Sequence, residues 1–552
     1  MRLIPLRLWL MAVLSGILQV LPFPIAGPTP LWRTAFCWIA LIPLIWALLS
    51  SNKTGSPLTF RQGAALGYLC GFVWYLGNCY WIYQTMYLYG GLAKPIAAGI
   101  LILFCLYLGL YHALFATLIS ACRVRFGRQA ALFLVPFAWV AVELARARIT
   151  GLPWDLLGIA QVDNPLLTRV APVTGAYGLS FVIAAINALW LVRIRVREHR
   201  FVRPALTLTG VGIVVLYVFA LRNISIHKAA PATARATLVQ ENLEVGAANT
   251  GPQLSTQQLL SSFSRLSLHP PLSRCNGIPE LPSTRCIAFI TSPQPSESEV
   301  LPPISANLIV WPESPAPFEE QDPQFHAAMS ALAREANAPI IVGNIGIERT
   351  AANSRGYNLF NSASFITPQG DFVGRYDKMH LVPFGEYVPF KEFFFFAKSL
   401  LNEVGTFDPG THRVVFTTGG HTYGTFICYE SIFADEVRQY TRQGAEVLVN
   451  ISNDGWYGDT SAPWQHLNMV RMRAIENHRW VLRATNTGIT AAINPYGRVT
   501  AAAPRHIRTA LHVGFAYEHD ITFYAAHGDL FAYACSLIAA LAFAFSLRPK
   551  MH

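Results

Sequence analysis

The chain has 552 residues, of which 53% are hydrophobic and only 13% are charged, and its formal net charge is +11. This composition is too apolar and too poor in charge for an ordinary soluble protein, so it favours a membrane protein. The positive charge by itself would also fit a nucleic-acid partner. The Lys and Arg residues lie mostly beside apolar segments, however, which points to membrane topology and argues against nucleic acid.

Eight apolar segments are predicted to cross a membrane. Each is about 17 to 25 residues long, and a helix needs roughly 20 residues to span the hydrocarbon core of a bilayer. The first segment also has features of a secretory signal, but no convincing cleavage site precedes Pro22 or Pro24, which favours a retained helix. The segments cover approximately residues 5–23, 31–50, 63–85, 96–121, 131–147, 172–192, 204–221 and 525–547.

The distribution of basic residues between the loops predicts the orientation of these helices. One set of helix ends holds fourteen Lys and Arg residues, among them Arg193, Arg195 and Arg197, whereas the opposite short loops hold five. Loops rich in Lys and Arg stay in the cytoplasm. An even number of spans then predicts that both termini are cytoplasmic, in a multi-pass protein of a bacterial inner membrane.

The chain is predicted to have three parts. A transmembrane domain of seven helices covers 1–222, a globular domain on the periplasmic side covers 223–520, and a last transmembrane helix lies in 521–552. In the globular part, short β-branched segments such as ARATLVQ, ANLIVWP and AEVLVNIS alternate with helical patterns. That alternation predicts an α/β domain whose buried sheet is covered by helices.

A segment rich in Pro and Ser at 268–303 breaks this alternation and is predicted to be a surface insertion. It contains Cys275 and Cys286, which either form a disulfide in an oxidising periplasm or remain free thiols. The chain has no C-x-x-C pair, no His pair with helical metal-ligand spacing together with a carboxylate, and no Gly-rich phosphate loop. We therefore expect no metal and no cofactor.

Three residues of the globular part are candidates for catalysis. Cys428 ends the apolar segment TFIC at a predicted strand-to-helix turn, although a single Cys is more often a buried small hydrophobe than a nucleophile. Glu313 follows the strand of LIVWPES, where a solvated loop carboxylate is the ordinary interpretation. Lys378 lies in YDKMHLVPFGEYVP, which is too apolar for an ordinary surface loop. Together they supply a base, a cation and a thiol, as acyl transfer requires.

These motifs carry a family resemblance. WPES, KMHLVPFGE and CYE resemble the segments that hold the Glu–Lys–Cys triad of the nitrilase superfamily. A nitrilase-like domain placed between the last two of eight membrane spans resembles the apolipoprotein N-acyltransferase family. Further similar segments are GLPWDLLG, VQENL, ISNDGWYGD, PWQHLNMVRMRAIE and RATNTGITA, and the 268–303 insertion is the one departure from the pattern.

The resemblance implies a fold and a two-step reaction. The fold is a polytopic helical membrane domain joined to an α-β-β-α sandwich. In the reaction, the thiol takes an acyl chain from a phospholipid, the sn-1 chain of phosphatidylethanolamine, as a thioester. It then passes the chain to the N-terminal amine of a diacylglyceryl-cysteine apolipoprotein. The alternatives are a membrane-tethered hydrolase, in which water replaces the amine, and a non-catalytic scaffold, which the three filled catalytic positions disfavour.

The resemblance also implies roles for individual residues. Glu313 would be the general base and Lys378 the cation that holds the oxyanion and lowers the pKa of the Cys428 thiol. Five further residues are expected to support the site: Glu386 and Glu430 by positioning Lys378, and Asn358, Tyr429 and Trp456 by lining the substrate pocket.

Overall fold

The structure is a computed structural model, and it describes residues 4–195, 210, 218, 231–245, 254–271, 304–313, 318–351, 355–383, 385–387 and 407–548. Most of the predicted span at 204–221 lies outside these residues. So do Cys275, Cys286 and nearly all of the predicted insertion around them.

The N-terminal region is helical. Its longest helix is not continuous, because the backbone at Gly127 has a φ of 88°, a conformation that glycine adopts without a side-chain clash. This break separates the two segments predicted at 96–121 and 131–147. The main helices of the region are α1 (Leu6–Val20), α2 (Phe60–Asn78), α3 (Lys94–Ala145) and α4 (Ala176–Arg195), with short helical turns at Leu31–Thr34, Ala35–Trp38 and Ile42–Leu48 between the first two.

Two helical segments of the described chain are long and apolar enough to cross a membrane, Leu31–Leu48 and Lys94–Thr150. Three further apolar helices are shorter, at Leu6–Val20, Ala176–Val192 and Leu530–Ser546. The described residues therefore show an apolar helical region, and the number of eight spans stays a prediction.

The C-terminal part contains two six-stranded sheets. In the first the strand order is β12-β1-β2-β3-β4-β5, and in the second it is β11-β10-β9-β8-β7-β6. The central pairs β1–β2, β2–β3, β7–β8 and β8–β9 are parallel. The strands are β1 (Ala234–Gln240), β2 (Leu308–Val310), β3 (Ile340–Arg349), β4 (Tyr357–Ile366), β5 (Phe372–Asp377), β6 (Val415–Thr418), β7 (His421–Ile427), β8 (Val447–Ser452), β9 (Trp480–Thr485), β10 (Ala491–Ile493), β11 (Val499–Ala502) and β12 (Thr509–Phe515).

The sheets pack face to face, with helices on both outer faces. Strand β2 shows how the layers form, because successive side chains of a strand point to opposite faces. Leu308 and Val310 join the core between the sheets, whereas Ile309 packs with Phe263 and Phe325 of the covering helices. Among the described residues, four helices cover the sandwich: α5 (Thr256–Leu268) and α6 (Pro323–Ala336) on the first sheet, α7 (Ala434–Arg442) and α8 (Ala462–Asn477) on the second. The predicted α-β-β-α arrangement is present.

An ion-pair cluster joins the helical region to the sandwich. Arg148, just beyond α3, lies 2.9 Å from a carboxylate oxygen of Asp435 in α7 and 2.6 Å from one of Asp529. Asp529 is the residue directly before the last described helix, α9 (Leu530–Ser546). One guanidinium thus connects three elements that are far apart in the sequence.

A loop of the helical region is buried against α8 and supplies a second junction. The indole nitrogen of Trp154 donates to Oε1 of Gln465 (2.9 Å), and the Gln465 amide donates in turn to the carbonyl of Asn78 (3.1 Å). Next in the loop, Asp155 is fully buried with a φ of 47°, and its Oδ2 accepts from the Asn78 amide (2.9 Å). Its Oδ1 has no partner among the described residues.

Burial raises the pKa of Asp155 from 3.8 to about 7, against the smaller lowering by the Asn78 hydrogen bond and the Arg146 charge. The ionised form is thus disfavoured in the folded state, and the stability that the neutral carboxyl provides is lost as pH rises from about 4 through 7. We expect Asp155→Asn, which tolerates the same backbone, to raise the melting temperature of the detergent-solubilised protein more at pH 8 than at pH 5. The exposed Asp371→Asn is the control, and an equal shift at both pH values would contradict the expectation.

Candidate active site

Cys428 lies at a strand-to-helix turn, as predicted. Strand β7 ends at Ile427, and a 3-10 turn covers Cys428–Ile432. The φ of Cys428 is 49°, in the left-handed region that residues with a side chain seldom adopt, and the residue is only 5% exposed. This sharp turn sets the thiol at the carboxyl end of a buried strand.

Glu313 and Lys378 meet in a buried hydrogen-bonded cluster. The Lys378 ammonium donates to Oε1 of Glu313 (3.0 Å) and to Oε1 of Glu386 (2.9 Å). The amide of Asn361 donates to the same two oxygens, at 2.7 and 2.6 Å. One cation is therefore held between two carboxylates, with an amide that fixes their spacing.

Backbone groups complete the hydrogen bonding of the two carboxylates. Oε2 of Glu313 accepts from the N–H of Asn453 (2.8 Å), which follows strand β8, and Oε2 of Glu386 accepts from the N–H of Val382 (2.8 Å). Glu313 follows β2 and Lys378 follows β5, so the first sheet supplies a carboxylate and the ammonium while the second supplies the thiol. The site lies between the two sheets at one edge of the sandwich.

The surroundings strongly favour a charged Lys378. Burial opposes its charged form, but the carboxylates of Glu313 and Glu386 outweigh this effect and raise the pKa of the ammonium well above its usual value. The side chain is 1% exposed and is therefore a fixed positive charge with little competing water. Such a charge is well placed to stabilise a developing oxyanion.

The surroundings of Cys428 favour the protonated thiol over the thiolate. Burial raises the pKa of Cys428, the Glu313 charge raises it further, and Lys378 offsets only part of the increase. The predicted lowering of this pKa by Lys378 is thus present but is not the dominant effect. A thiol in this state must lose its proton to a base if it is to attack a carbonyl, and Glu313 is the carboxylate whose charge acts most strongly on it.

Glu430 supports the site through the backbone. Its Oε1 accepts from the Tyr376 hydroxyl (2.7 Å) and from the N–H of Met379 (2.7 Å), directly after Lys378. Its Oε2 accepts from the N–H of Ile427 (2.7 Å), directly before Cys428. Glu430 therefore connects the segment that carries Lys378 with the segment that carries Cys428, whereas Glu386 contacts the Lys378 ammonium directly.

A cavity of about 650 Å³ lies between the sandwich and the ends of the helices of the N-terminal helical region. Its wall combines apolar and charged residues from both parts, among them Leu156, Met379, Phe433, Arg148 and Asp435. Because Met379 directly follows Lys378, this space lies next to the buried cluster of Glu313, Lys378 and Glu386. It is large enough for part of a lipid or peptide substrate.

Of the three predicted pocket residues, one lines this cavity. Tyr429 does so, and its hydroxyl donates to the carbonyl of Gly151 in the N-terminal helical region (3.1 Å). Trp456 is 44% exposed, and Asn358 lies on β4 opposite Glu348. Neither belongs to the wall formed by the described residues.

Two parts of the site were not predicted. Asn361 lies in NLFNSASFI, whose Asn and Ser residues are more typical of a loop than of a buried strand. Two Asn residues inside an apolar segment nevertheless indicate buried amides, which need hydrogen-bond partners. The second part is His466, whose ring lies between the Cys428 carbonyl and the Asp454 carboxylate.

One group in the described chain has ligand-type atoms close enough to hold a metal ion. His478, Glu518 and Asp520 place such atoms within 4.8 Å of one another. Nδ1 of His478 already lies 2.8 Å from Oδ2 of Asp520, and Arg479 lies 3.4 Å from Oδ1 of the same carboxylate. These contacts describe an ion-pair cluster away from Cys428, and we assign no metal to it.

Comparison with known proteins gives two family matches. Residues 298–513 match the carbon-nitrogen hydrolase family, and residues 15–189 match the apolipoprotein N-acyltransferase N-terminal domain. The first match covers most of the sandwich, and the second covers the helical region.

The chain is also similar over nearly its whole length to curated apolipoprotein N-acyltransferases. The protein of Geobacter metallireducens is 35% identical, with 99% of this chain and 96% of the relative covered. The protein of Methylococcus capsulatus is 32% identical over 98% and 96%. That of Pasteurella multocida is 28% identical over 97% and 94%.

Proposed function

The chain belongs to the apolipoprotein N-acyltransferase family, and from that premise we propose that Cys428 carries the acyl chain as a thioester during lipoprotein maturation. The observation that supports this most strongly is the buried Lys378 between Glu313 and Glu386, next to the turn that presents the thiol. Base, cation and nucleophile are the three groups that acyl transfer needs.

In the first step, the Cys428 sulfur attacks an ester carbonyl of the phospholipid donor while Glu313 takes the thiol proton. The carbonyl oxygen becomes an oxyanion, which the Lys378 ammonium stabilises. When the tetrahedral intermediate collapses, the ester C–O bond breaks and Glu313 returns the proton to the leaving alkoxide. The products are a lysophospholipid and the thioester.

In the second step, the neutral α-amine of a diacylglyceryl-cysteine apolipoprotein attacks the thioester carbonyl. Glu313 removes a proton from the attacking nitrogen, and Lys378 again holds the oxyanion. The C–S bond breaks, the sulfur regains a proton from Glu313, and the acyl chain leaves as an amide of the lipoprotein. Glu386 and Glu430 keep Lys378 and its backbone in place through both steps.

The membrane placement is part of the proposal. The chain would cross a bacterial inner membrane eight times, with both termini in the cytoplasm, a transmembrane domain at 1–222, a periplasmic catalytic domain at 223–520 and a last helix in 521–552. The distribution of Lys and Arg supports this orientation. The cavity next to Lys378 supports it too, because its wall includes membrane-region residues such as Leu156 and would be open to lipid-borne substrates.

Phosphatidylethanolamine is the proposed acyl donor. The cavity wall bears both signs of charge, with Arg148 and Arg355 among the cations and Asp435 and Glu436 among the anions, which suits a zwitterionic headgroup. Tyr429 is proposed to contact the substrate from the same wall. Asn358 and Trp456 are proposed to contact it from outside this space.

The test uses the detergent-purified full-length protein with phospholipid labelled in its sn-1 acyl chain. We expect label on the protein in a bond that neutral hydroxylamine cleaves, followed by transfer to the amine of an added diacylglyceryl-cysteine peptide. An N-acetylated peptide is the control, because it has no free amine. If free fatty acid were the sole product in the presence of the free-amine peptide, the protein would be a hydrolase and the proposal would fail.

A further inference from the structure

The backbone of the turn at Cys428–Ile432 must be held in place by neighbouring groups. The φ of 49° at Cys428 is unfavourable for a residue with a side chain, and such conformations persist only where neighbouring groups fix them. The direction of the thiol depends on this backbone. Groups that hold it therefore influence the attack without touching the substrate.

Two side chains hold the turn through backbone atoms. Glu430 accepts from the N–H of Ile427, on the strand side, as described above. On the other side, Nε2 of His466 lies 3.1 Å from the carbonyl oxygen of Cys428 and 2.6 Å from the hydroxyl oxygen of Ser431. Because a carbonyl oxygen can only accept, Nε2 is the donor in the first contact.

The opposite edge of the His466 ring is fixed by two charged residues. Nδ1 lies 3.0 Å from Oδ1 of Asp454 and 3.2 Å from a guanidinium nitrogen of Arg483. The same guanidinium donates to Oδ2 of Asp454 (2.6 Å). All three side chains are fully buried, so water does not compete for these contacts.

A residue of the membrane region covers one face of the ring. The indole of Trp154 stacks on His466 with ring centroids 6.0 Å apart and an interplanar angle of 22°. Its own nitrogen is held by Gln465, the neighbour of His466 on α8. The ring of His466 is thus held by polar contacts at both edges and is packed on one face.

We propose that His466 is a positioning residue for the nucleophile. It donates to the Cys428 carbonyl and fixes the direction of the thiol, while Asp454 and Trp154 hold its ring. Through Trp154, the geometry of attack depends on a loop between the membrane helices. This inference rests on the proposed function, since it takes Cys428 to be the attacking group.

Two conservative variants distinguish the role of Nε2 from that of Nδ1 in the His466 ring. The amide nitrogen of His466→Gln reaches approximately the position of Nε2, whereas that of His466→Asn reaches approximately that of Nδ1. We expect His466→Asn to slow thioester formation by about 100-fold, the usual cost of a small misplacement of reacting groups. His466→Gln keeps a donor to the carbonyl and is expected to lose less than about tenfold, comparable to one hydrogen bond.

Two readouts distinguish positioning from folding. The rate of alkylation of Cys428 by iodoacetamide is expected to change in the same order as thioester formation, with the KM for phospholipid unchanged. The matched control is His478→Asn, at the end of the same helix, where His478 has a φ of 49° that Asn tolerates. This variant is expected to keep the wild-type rates, and the melting temperature of each variant is measured alongside.

Equal rates for His466→Asn and His466→Gln would overturn the assignment, as would a loss of similar size in His478→Asn. If the wild-type protein forms no thioester on Cys428, the proposed function itself fails. If the wild-type protein forms the thioester and both His466 variants form it as fast as the wild type, only the proposed role of His466 is wrong.

Discussion

Replacing Cys428 with alanine is expected to abolish both half-reactions, because no other group in the cluster can carry the acyl chain. The loss in turnover is expected to be on the order of 10⁶-fold, the size seen when a catalytic nucleophile is removed. The measurement is the protein-bound label from sn-1-labelled phospholipid, before and after hydroxylamine, together with the label on the acceptor peptide. The substitution removes one buried sulfur and keeps the backbone, so the protein is expected to remain folded.

The control for this loss is Cys535→Ala, because Cys535 is also buried but lies in α9, away from the catalytic cluster. It is expected to retain wild-type labelling. Hydroxylamine-sensitive label that persists in Cys428→Ala would show that another residue is the nucleophile.

Replacing Lys378 with methionine is expected to cost both activity and stability. Glu313 and Glu386 would remain buried with one Asn361 amide between them and no cation, and breaking a buried ion pair in this way typically costs about 3–5 kcal/mol. Loss of the oxyanion donor is expected to lower the rate of thioester formation by about 10²–10³-fold in addition. Thermal unfolding and single-turnover labelling measure the two effects separately.

The double variant Lys378→Met with Glu386→Gln separates these contributions. Removing one of the two carboxylate charges relieves their repulsion, so we expect the melting temperature to recover much of the loss. The rate of labelling is not expected to recover, because the ammonium is still missing. A recovery of both would mean that Lys378 acts only by stabilising the fold.

Much of the fold could be predicted from patterns in the sequence. Strands β1, β2, β7 and β8 contain the apolar, β-branched segments from which strands were predicted, and the structure has them close to the predicted positions. Strand β4 was missed because its Asn and Ser residues are typical of a loop. Their hydrogen-bond partners include residues of other elements, such as Asn344 for Ser364 (2.6 Å). β12 was missed as well, although it pairs with β1 across a long separation in the chain.

The residues proposed to be catalytic could be singled out for a related reason. Glu313 and Cys428 each stand at the end of an apolar strand, and Lys378 stands in a segment too apolar for an exposed loop, so each departs from the local pattern. Family resemblance then supplied their roles. The pocket residues were harder to predict: Tyr429 lines the cavity, but nothing in the local pattern separates it from Trp456, which the fold leaves 44% exposed.

The sequence by itself determined the apolar helical region, the alternating α/β part and the three residues on which catalysis is proposed to depend. Those properties follow from local composition and spacing, which set hydrophobic burial and strand or helix periodicity. Only the tertiary structure decided that Lys378 lies between two carboxylates, that Asn361 spaces them, and that His466 meets Cys428. These contacts join residues 8 to 65 positions apart, and their strength comes from burial that exists only once both sheets and the loop at Trp154 have packed.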